Sequence, residues 1–319
     1  MKRWTKVFGF VVLTCFVSHF AWAQSYPTKN VRIVVGFPPG TFTDIFARLI
    51  RQSLTERLGQ PFIIENRPGA GSNIGTDVVA HATPDGYTLL LVAASNTINT
   101  TLYDKLNFDF TRDISPIAAI ASAPLILVVN PSFPAKTVAE LIAHAKTNPG
   151  KVTMASVGNG SGPHVAGELF KMMAAVDLVH VPYRVAPFND LIGGHVQLMF
   201  TTMPSSIEFV RSGKLRALAV TTSKRSDALP DLPTVSEFLP GYEASAWVGL
   251  GAPRNTPAEI IGRLNREINA ALADPKMKAR IAGFGSTVMT GSPEDFRKLF
   301  REETEKWGKV VKFARIKPD

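Results

Sequence analysis

Two turns of the chain, each lying between an apolar run and an amphipathic helix, hold the residues best suited to chemistry. The first covers Gly40–Asp44, after the apolar run 31–37. The second covers Ser156–His164 and is rich in glycine and serine. N–H groups in the first turn of a helix have no acceptor inside that helix, so such turns bind anions. The pair predicts a carboxylate site in a cleft; helix capping alone is the alternative.

The candidate ligand-binding residues lie in these two turns and in loops expected after neighbouring strand-like runs, among them 95–97 and 183–187. Tyr183 and Arg184 are interpreted as groups that stack on an anion and pair with its charge, with a solvent-exposed arginine as the alternative. His164 is interpreted as a direct ligand contact, with a surface or capping histidine as the alternative. The full set is Phe37, Gly40, Thr41, Phe42, Thr43, Asp44, Ser95, Asn96, Ser156, Gly158, Asn159, Gly160, Ser161, Gly162, His164, Tyr183, Arg184, Ala186, Thr201 and Thr202.

The chain lacks the spacing that marks common catalytic and cofactor sites. Ser161 has Asn159 and Pro163 where a nucleophile elbow requires glycine. The glycines of 69–75 are one residue too far apart for a dinucleotide fingerprint. The histidines show no metal-ligand spacing. We therefore predict a protein that is not an enzyme and that needs no cofactor and no metal.

Charge and composition argue against nucleic acid as a partner. The chain has 319 residues with 35 Lys and Arg against 26 Asp and Glu, a formal net charge of +9. These charges are scattered and are not interleaved with aromatic residues, as a nucleic-acid interface would require. A solvated basic surface is the simpler interpretation. We expect a monomer that binds a small molecule.

Residues 1–23 have the pattern of a secretory signal peptide. Three cations precede an apolar run at about 7–20, and Ala-Trp-Ala follows at 21–23. We expect cleavage near Ala23 and a periplasmic location, which lowers the net charge to about +6. An uncleaved anchor and lipidation of Cys15 are the alternatives. Since Cys15 is the only cysteine, the exported chain has no disulfide.

Strand-like and helix-like runs alternate along the chain, which favours an α/β fold with mainly parallel sheets. One unit of about 100 residues has strands at 31–37, 62–65 and 87–93, and helices from about Thr43 and Asn73. A second unit of similar length has strands and helices between 125 and 220. Glycine-rich turns that follow strands of both units are expected at the carboxyl ends of the sheets, facing a common cleft.

The last part of the chain is expected to return to the first unit. Helices at about 256–272 and 293–313 have apolar faces that must be buried. Two segments then connect the units, near 119–125 and 222–247, and two connections form a hinge. The predicted division is lobe 1 at 24–122 and 247–319, and lobe 2 at 123–246.

Several stretches between Tyr26 and the C terminus match the pattern of one known family. They include YPTKNVRIVVGFPPG, TDIFARL, ENRPGAGSNIGT, TPDGYTLLL, GNGSGPHVAGELF, VDLVHVPYR, DLIGGHVQLMF, GKLRALAVTTSKRS and LPDLPTVSE. Through them the sequence resembles the Bug-type periplasmic solute-binding receptors of tripartite tricarboxylate transporters. The resemblance implies a two-lobed, type II (Venus-flytrap) binding protein that captures a small carboxylate. It also implies delivery of a di- or tricarboxylate, an amino acid or an aromatic acid to the membrane subunits of such a transporter.

Two departures from the family pattern affect the expected site. The resemblance implies that Gly40–Asp44 and Ser156–His164 hold carboxylates, partly through backbone N–H groups and ordered water. Here Thr41 and Phe42 stand where the family often has glycine, and the loop after Tyr183 is about two residues shorter and carries Phe188. The two phenylalanines suggest an aromatic or longer carboxylate. A ligand sensor for a membrane signalling protein and an exported hydrolase are the alternative functions.

Overall fold

The computed structural model describes residues 26–318 as ten strands and eleven α-helices. The predicted signal peptide, 1–23, lies outside the described residues. Within 26–318, no helix combines the length and the hydropathy that crossing a bilayer requires.

Most strands have five or six residues, whereas the fourth and the ninth are long. They are β1 (Val31–Val35), β2 (Phe62–Asn66), β3 (Thr88–Ala93), β4 (Ile114–Val129), β5 (Val152–Ser156), β6 (Leu178–Pro182), β7 (Leu198–Thr202), β8 (Arg216–Val220), β9 (Ser245–Pro253) and β10 (Thr287–Val288).

Helices follow most strands, as the alternating pattern predicts. They are α1 (Phe42–Leu58), α2 (Asn73–Ala80), α3 (Ala94–Leu102), α4 (Phe110–Asp113), α5 (Val138–Thr147), α6 (Gly162–Ala174), α7 (Phe188–Ile192), α8 (Met203–Arg211), α9 (Ala258–Ala273), α10 (Pro275–Gly283) and α11 (Pro293–Ala314). Two short 3-10 helices cover Ala70–Ser72 and Val235–Glu237.

Two elements differ from the prediction. Ser95–Thr97 was expected to form a loop, which is wrong, because these residues lie in the first turn of α3. The second difference is the length of β4, of which only the part from Leu125 was predicted. Pro116 and Pro124 interrupt its apolar pattern, and proline has no N–H group to donate to a neighbouring strand. In the structure the pairing register of β4 with β9 shifts beside Pro116, so the strand continues past it.

The strands form two sheets that share β4. In the first sheet β1 runs parallel to β2 and β3, and in the second β5 runs parallel to β6 and β7. The predicted two-lobed α/β fold is confirmed. The parallel strands lie in the outer part of each sheet, whereas β4 and β9 add antiparallel pairs between them.

One position of β4 marks the change from the first sheet to the second. Up to Pro124 the strand pairs with β9, and from Leu125 onward it pairs with β7. The buried side chain of Thr221 lies at this point: its hydroxyl accepts from Leu125 N at 2.9 Å and lies 2.7 Å from the carbonyl oxygen of Ala244. Thr221 thus connects the two segments that run between the sheets.

The C-terminal helices pack against elements of the first sheet, with α9 on α1 and α11 on α3 and β4. Under α11, the indole N–H groups of Trp247 and Trp307 both donate to Glu303 Oε2, at 2.9 and 2.8 Å. Glu303 is 9% exposed. One carboxylate therefore satisfies two buried donors and fixes Trp247 in β9 against the last helix.

We predict that Glu303→Ala lowers the free energy of unfolding by about 2–4 kcal/mol, because both buried indole N–H groups lose their acceptor. Glu303→Gln should cost less, since its amide oxygen still accepts. Denaturant unfolding measures both, with the exposed neighbour Glu302→Ala as the control. Equal, small losses in all three variants would contradict this role for Glu303.

Candidate functional site

A cavity lies between the two sheets, at the carboxyl ends of β1, β3, β5 and β7. The space between its lining atoms is about 560 Å³, a volume that includes open solvent. Phe37 follows β1, Ala93 ends β3, Val157 follows β5 and Thr202 ends β7, and all four line it. Residues from both sheets therefore share one cavity, here called the cleft cavity.

About half of the predicted site residues line the cleft cavity. They are Phe37, Thr41, Phe42, Thr43, Ser95, Gly162, Ala186, Thr201 and Thr202. The remaining lining residues were not predicted as ligand contacts. They are Ala93, Ala94, Val157, Pro163, Phe188, Met199, Ser205, Ala246 and Trp247.

The missed residues differ in the signal that the sequence offered. Val157 and Pro163 lie inside the predicted turn Ser156–His164. Ala94 directly precedes the predicted Ser95, and Ser205 lies in the first turn of α8. Taking whole turns with one neighbouring residue would have found Val157, Pro163 and Ala94. Met199 and Trp247 lie within strands and resemble ordinary core residues. Only the way the two sheets face each other brings them to the cavity.

The other predicted residues do not line the cleft cavity. They are Gly40, Asp44, Asn96, Ser156, Gly158, Asn159, Gly160, Ser161, His164, Tyr183 and Arg184. Arg184 is exposed. The hydroxyl of Tyr183 donates to Asp190 Oδ2 at 2.8 Å. The expected stacking and charge pairing by these two residues are therefore not seen in this arrangement.

Asp44 closes the first turn and does not face the cavity. Its carboxylate accepts from Gly40 N at 3.0 Å, from Arg48 Nε at 2.9 Å and from Asn66 Nδ2 at 3.0 Å. Burial acts to raise the pKa of Asp44, but the hydrogen bonds from these three groups outweigh it and lower the pKa below its usual value. Asp44 is therefore an ionised structural residue that shapes the loop before α1.

The hydroxyl groups of the same turn donate hydrogen bonds to acceptors within the turn. Thr41 Oγ1 donates to the carbonyl oxygen of Pro38 at 2.7 Å and lies 3.0 Å from Thr43 Oγ1. Because Thr41 has only one hydroxyl hydrogen, Thr43 is the donor in the second contact. What this turn offers the cavity is therefore its backbone N–H groups.

His164 lies behind the second turn, stacked on His180 with ring centroids 3.8 Å apart. Its Nδ1 accepts from Gly160 N at 3.2 Å, and Ser156 Oγ lies 2.7 Å from His180 Nε2. Burial and the neighbouring imidazole lower the pKa of His164 to about 3, and burial lowers that of His180 to about 4. Both rings are neutral near pH 7 and hold the turn in place.

The glycines of the second turn let it approach α3. A Cβ added at Gly160, where φ is +71°, would lie 2.5 Å from Asn99 Oδ1 and 2.7 Å from Leu102 Cδ2. A Cβ at Gly71, where φ is +60°, would lie 2.7 Å from the carbonyl oxygen of Asn159. The two units meet at Gly160 and Gly71, which have no side chains, so this turn forms a contact across the cleft.

At three helix starts beside the cleft cavity, the side chain of the N-cap residue makes no capping hydrogen bond. The N-cap residues of α1 and α8 are Thr41 and Thr202. That of α3 is Ala93, whose side chain has no acceptor, although Asn96 Oδ1 accepts from Ala93 N at 2.8 Å. Elsewhere, Thr137, Asp274 and Ser292 cap α5, α10 and α11, whereas α2, α7 and α9 also begin without a side-chain cap. First-turn N–H groups have no acceptor inside their own helix, so these starts are candidate donors to the cavity.

Ser95 adds a side-chain donor to these N–H groups. It is the second residue of α3, is 2% exposed and lines the cavity. Its Oγ has no hydrogen-bond partner among the described residues. A buried hydroxyl without a partner costs free energy, and an acceptor in the cavity would remove that cost.

No lining side chain in the described part of the chain is charged. Likewise, within 26–318 no group of three or more His, Cys, Asp or Glu side chains is placed to hold a metal ion. An anion in the cleft cavity would therefore be held by neutral donors and by the positive ends of helix dipoles.

Comparison with known proteins identifies the family. The model of the tripartite tricarboxylate transporter family receptor, TctC, matches residues 46–315. The protein BugT of Bordetella pertussis is 36% identical over 317 residues, covering 98% of this chain and 97% of BugT. The chain belongs to this family of transporter receptors, and the predicted resemblance to Bug-type periplasmic receptors is confirmed.

Solved structures agree with this assignment. The Rhodopseudomonas palustris protein Rpa4515 with adipate has a TM-score of 0.90 and 38% identity, and the match covers 92% of this chain and 100% of that one. MatC from the same organism, with bound malate, has a TM-score of 0.86 and 32% identity, covering 90% and 100%. Both likenesses extend over at least nine-tenths of this chain.

The buried histidine pair predicts sensitivity to acid. In the unfolded chain both histidines titrate near 6.5, whereas in the folded chain their pKa values are lowered to about 3 and 4. Between about pH 6.5 and pH 4 the unfolded chain binds more protons, so the free energy of unfolding falls as the pH falls. His180→Gln should reduce this slope, and thermal unfolding from pH 7.5 to pH 4.5 measures it.

The matched control is His195→Gln, which removes an exposed histidine of the same unit. In this variant the free energy of unfolding should change with pH as it does in the unsubstituted protein. If His180→Gln also showed that unchanged dependence, the role assigned to the stacked pair would be contradicted.

Proposed function

We propose that this receptor is exported to the periplasm, closes on a small carboxylate in the cleft cavity, and presents it to membrane subunits of a tripartite tricarboxylate-type transporter. The observation that carries the proposal is the unpartnered hydroxyl of Ser95 at the buried start of α3. The starts of α1 and α8 converge on the same cavity. In this proposal the ligand leaves unchanged, since the receptor binds it and does not catalyse a reaction.

The chemistry of the donors favours a carboxylate. Its two oxygens accept about four hydrogen bonds, and those from N–H groups at helix starts are charge-assisted and stronger than neutral ones. Neutral ligands would gain only the weaker, neutral hydrogen bonds. Because most of the lining residues are buried, the electrostatic interaction with the helix dipoles is less screened than on the surface.

The pairing of the strands supports a hinge between two lobes. In this proposal lobe 1 is 24–122 with 247–319, lobe 2 is 123–246, and the change of partner in β4 at Pro124 and Leu125 lies at their junction. Thr221 joins the two crossing segments there. Rotation at this point would open the cleft and separate Gly160 from Asn99, so the closed shape would signal the bound ligand to a partner.

The names of the relatives agree with the chemistry. Rpa4515 is described with adipate and MatC with bound malate, both dicarboxylates. Carboxylate capture is thus a property of similar proteins with the same fold. For this chain the proposal extends to carboxylates as a class, and it depends on its own donors at α1, α3 and α8.

We predict that carboxylates raise the unfolding temperature of residues 24–319 and that the corresponding amides do not. The protein is first unfolded and refolded to remove carried-over ligand, and calorimetry then gives the affinity of each positive compound. A ligand at about 100 times its dissociation constant adds about 2.7 kcal/mol of stability, which thermal unfolding detects. Recovery of the compound unchanged tests for binding without turnover.

Ser95→Ala should weaken carboxylate binding by about tenfold or more, because it removes a hydrogen bond to a charged group. The matched control is Thr100→Ala on the same helix, whose hydroxyl donates to Thr97 O at 2.7 Å. This control should leave affinity within about twofold. Binding of amides as tightly as carboxylates, or of no carboxylate at all, would overturn the proposal.

A further inference from the structure

Asn99 is a buried residue of α3 that lies one helical turn after Ser95 and does not line the cleft cavity. Its side chain is 1% exposed. Its Nδ2 donates to the carbonyl oxygen of Gly71 at 2.7 Å and to Asn73 Oδ1 at 2.9 Å. One amide group of lobe 1 therefore holds the turn that contains Gly71.

The turn around Gly71 has an unusual backbone conformation. Gly71 has a φ of +60°, and its neighbours Ala70 and Ser72 have φ values of +46° and +85°. Residues other than glycine seldom adopt positive φ, and such conformations persist where the surrounding structure holds them. The hydrogen bond from Asn99 to the carbonyl oxygen of Gly71 is one such restraint.

Lobe 2 approaches this turn at Asn159 and Gly160. A Cβ added at Gly71 would lie 2.7 Å from the carbonyl oxygen of Asn159, and one added at Gly160 would lie 2.5 Å from Asn99 Oδ1. Neither position has room for a side chain without a shift of its neighbours. The carboxamide of Asn99 thus holds the lobe 1 turn through Nδ2 and lies against the lobe 2 turn through Oδ1.

Asn99 Oδ1 has no hydrogen-bond partner among the described residues. At this oxygen the contact between the lobes therefore consists of close packing and not of a hydrogen bond to the facing turn. Packing forces act only over short distances and weaken when a gap of an ångström opens. The contact consequently depends on where Asn99 places the Gly71 turn.

From these contacts we propose that Asn99 is a positioning residue for ligand binding. It holds the Gly71 turn where the Gly160 turn can close against it, and it acts on the ligand only through closure. A change that makes the closed form less favourable weakens every ligand by the same factor, whatever contacts that ligand makes in the cavity. This inference rests on the proposed function, because it assumes that the lobes close on a carboxylate, and it adds a residue that controls closure.

Asn99→Ala should weaken each carboxylate that binds by about tenfold, because the carbonyl oxygen of Gly71 and Asn73 Oδ1 lose their donor. Calorimetry on residues 24–319 with succinate, malate, adipate and benzoate measures this loss, which should agree within about twofold between ligands. The control is Thr100→Ala, the next residue of α3, which should leave all affinities within about twofold. Thermal unfolding of each variant without ligand shows that it is folded.

A substitution in lobe 2 tests the same contact from the other side. Gly160→Ala places a methyl group against Asn99 Oδ1 and should also weaken every ligand by one common factor, of about tenfold or more. Alanine at a positive φ is strained by itself, so the matched control is Gly213→Ala. There φ is +72° and no atom lies within 4 Å of the added Cβ, so affinity should stay within about twofold.

The double variant Asn99→Ala/Gly160→Ala distinguishes a contact between the lobes from two local defects. Without the Asn99 side chain, the methyl group added at Gly160 meets mainly Leu102 Cδ2, the end of a flexible side chain. The double variant should therefore bind ligands about as tightly as Asn99→Ala alone. Losses that multiply would show two independent defects and would overturn the inference.

The outcomes separate this inference from the proposed function. Unchanged affinity in either single variant would overturn the inference and leave carboxylate capture intact. A loss confined to one ligand would also overturn it, because such a loss indicates a direct contact with that ligand. Failure of every carboxylate to bind the unsubstituted protein would overturn the proposed function itself, and the inference with it.

Discussion

The arrangement of this protein depends on helix starts that meet at one cavity. At the starts of α1, α3 and α8 the N-cap side chains of Thr41, Ala93 and Thr202 make no capping hydrogen bond. The buried Oγ of Ser95, in the first turn of α3, has no partner among the described residues. Because first-turn N–H groups have no acceptor inside their helix, the proposed function lets these starts hold an anion without a charged side chain.

Closing the cleft requires that the two units approach without steric conflict. Gly160 and Gly71 provide this, since a side chain at either position would collide with the facing backbone or with Asn99. The connection between the units is equally constrained, because β4 belongs to both sheets and Thr221 joins its midpoint to the returning segment. The contact between the units, at Gly160 and Gly71, and the connection between them, at β4 and Thr221, therefore lie in different parts of the structure. A two-lobed receptor needs this layout.

Local patterns predicted the elements well and the side-chain roles less well. The helix start at Thr43 and the glycine-rich turn at Ser156–His164 follow from spacing and from helix-start chemistry. The roles of Asp44 and His164 could not be predicted in this way, because each depends on a partner far away in the sequence: Asn66 for the carboxylate and His180 for the imidazole. A titratable residue in a turn looks the same whether it faces a ligand or supports the loop.

The sequence by itself determined the family, the alternation of strands and helices, and the two turns that lead from a strand into a helix, because these are properties of short segments. Only the tertiary structure decided which residues form the walls. Met199 and Trp247 come to the cavity through strand pairing between distant segments, and Arg184 is left outside it. The physical reason is that periodicity and capping act within a few residues, whereas the shape and charge of a cleft arise from how two sheets face each other.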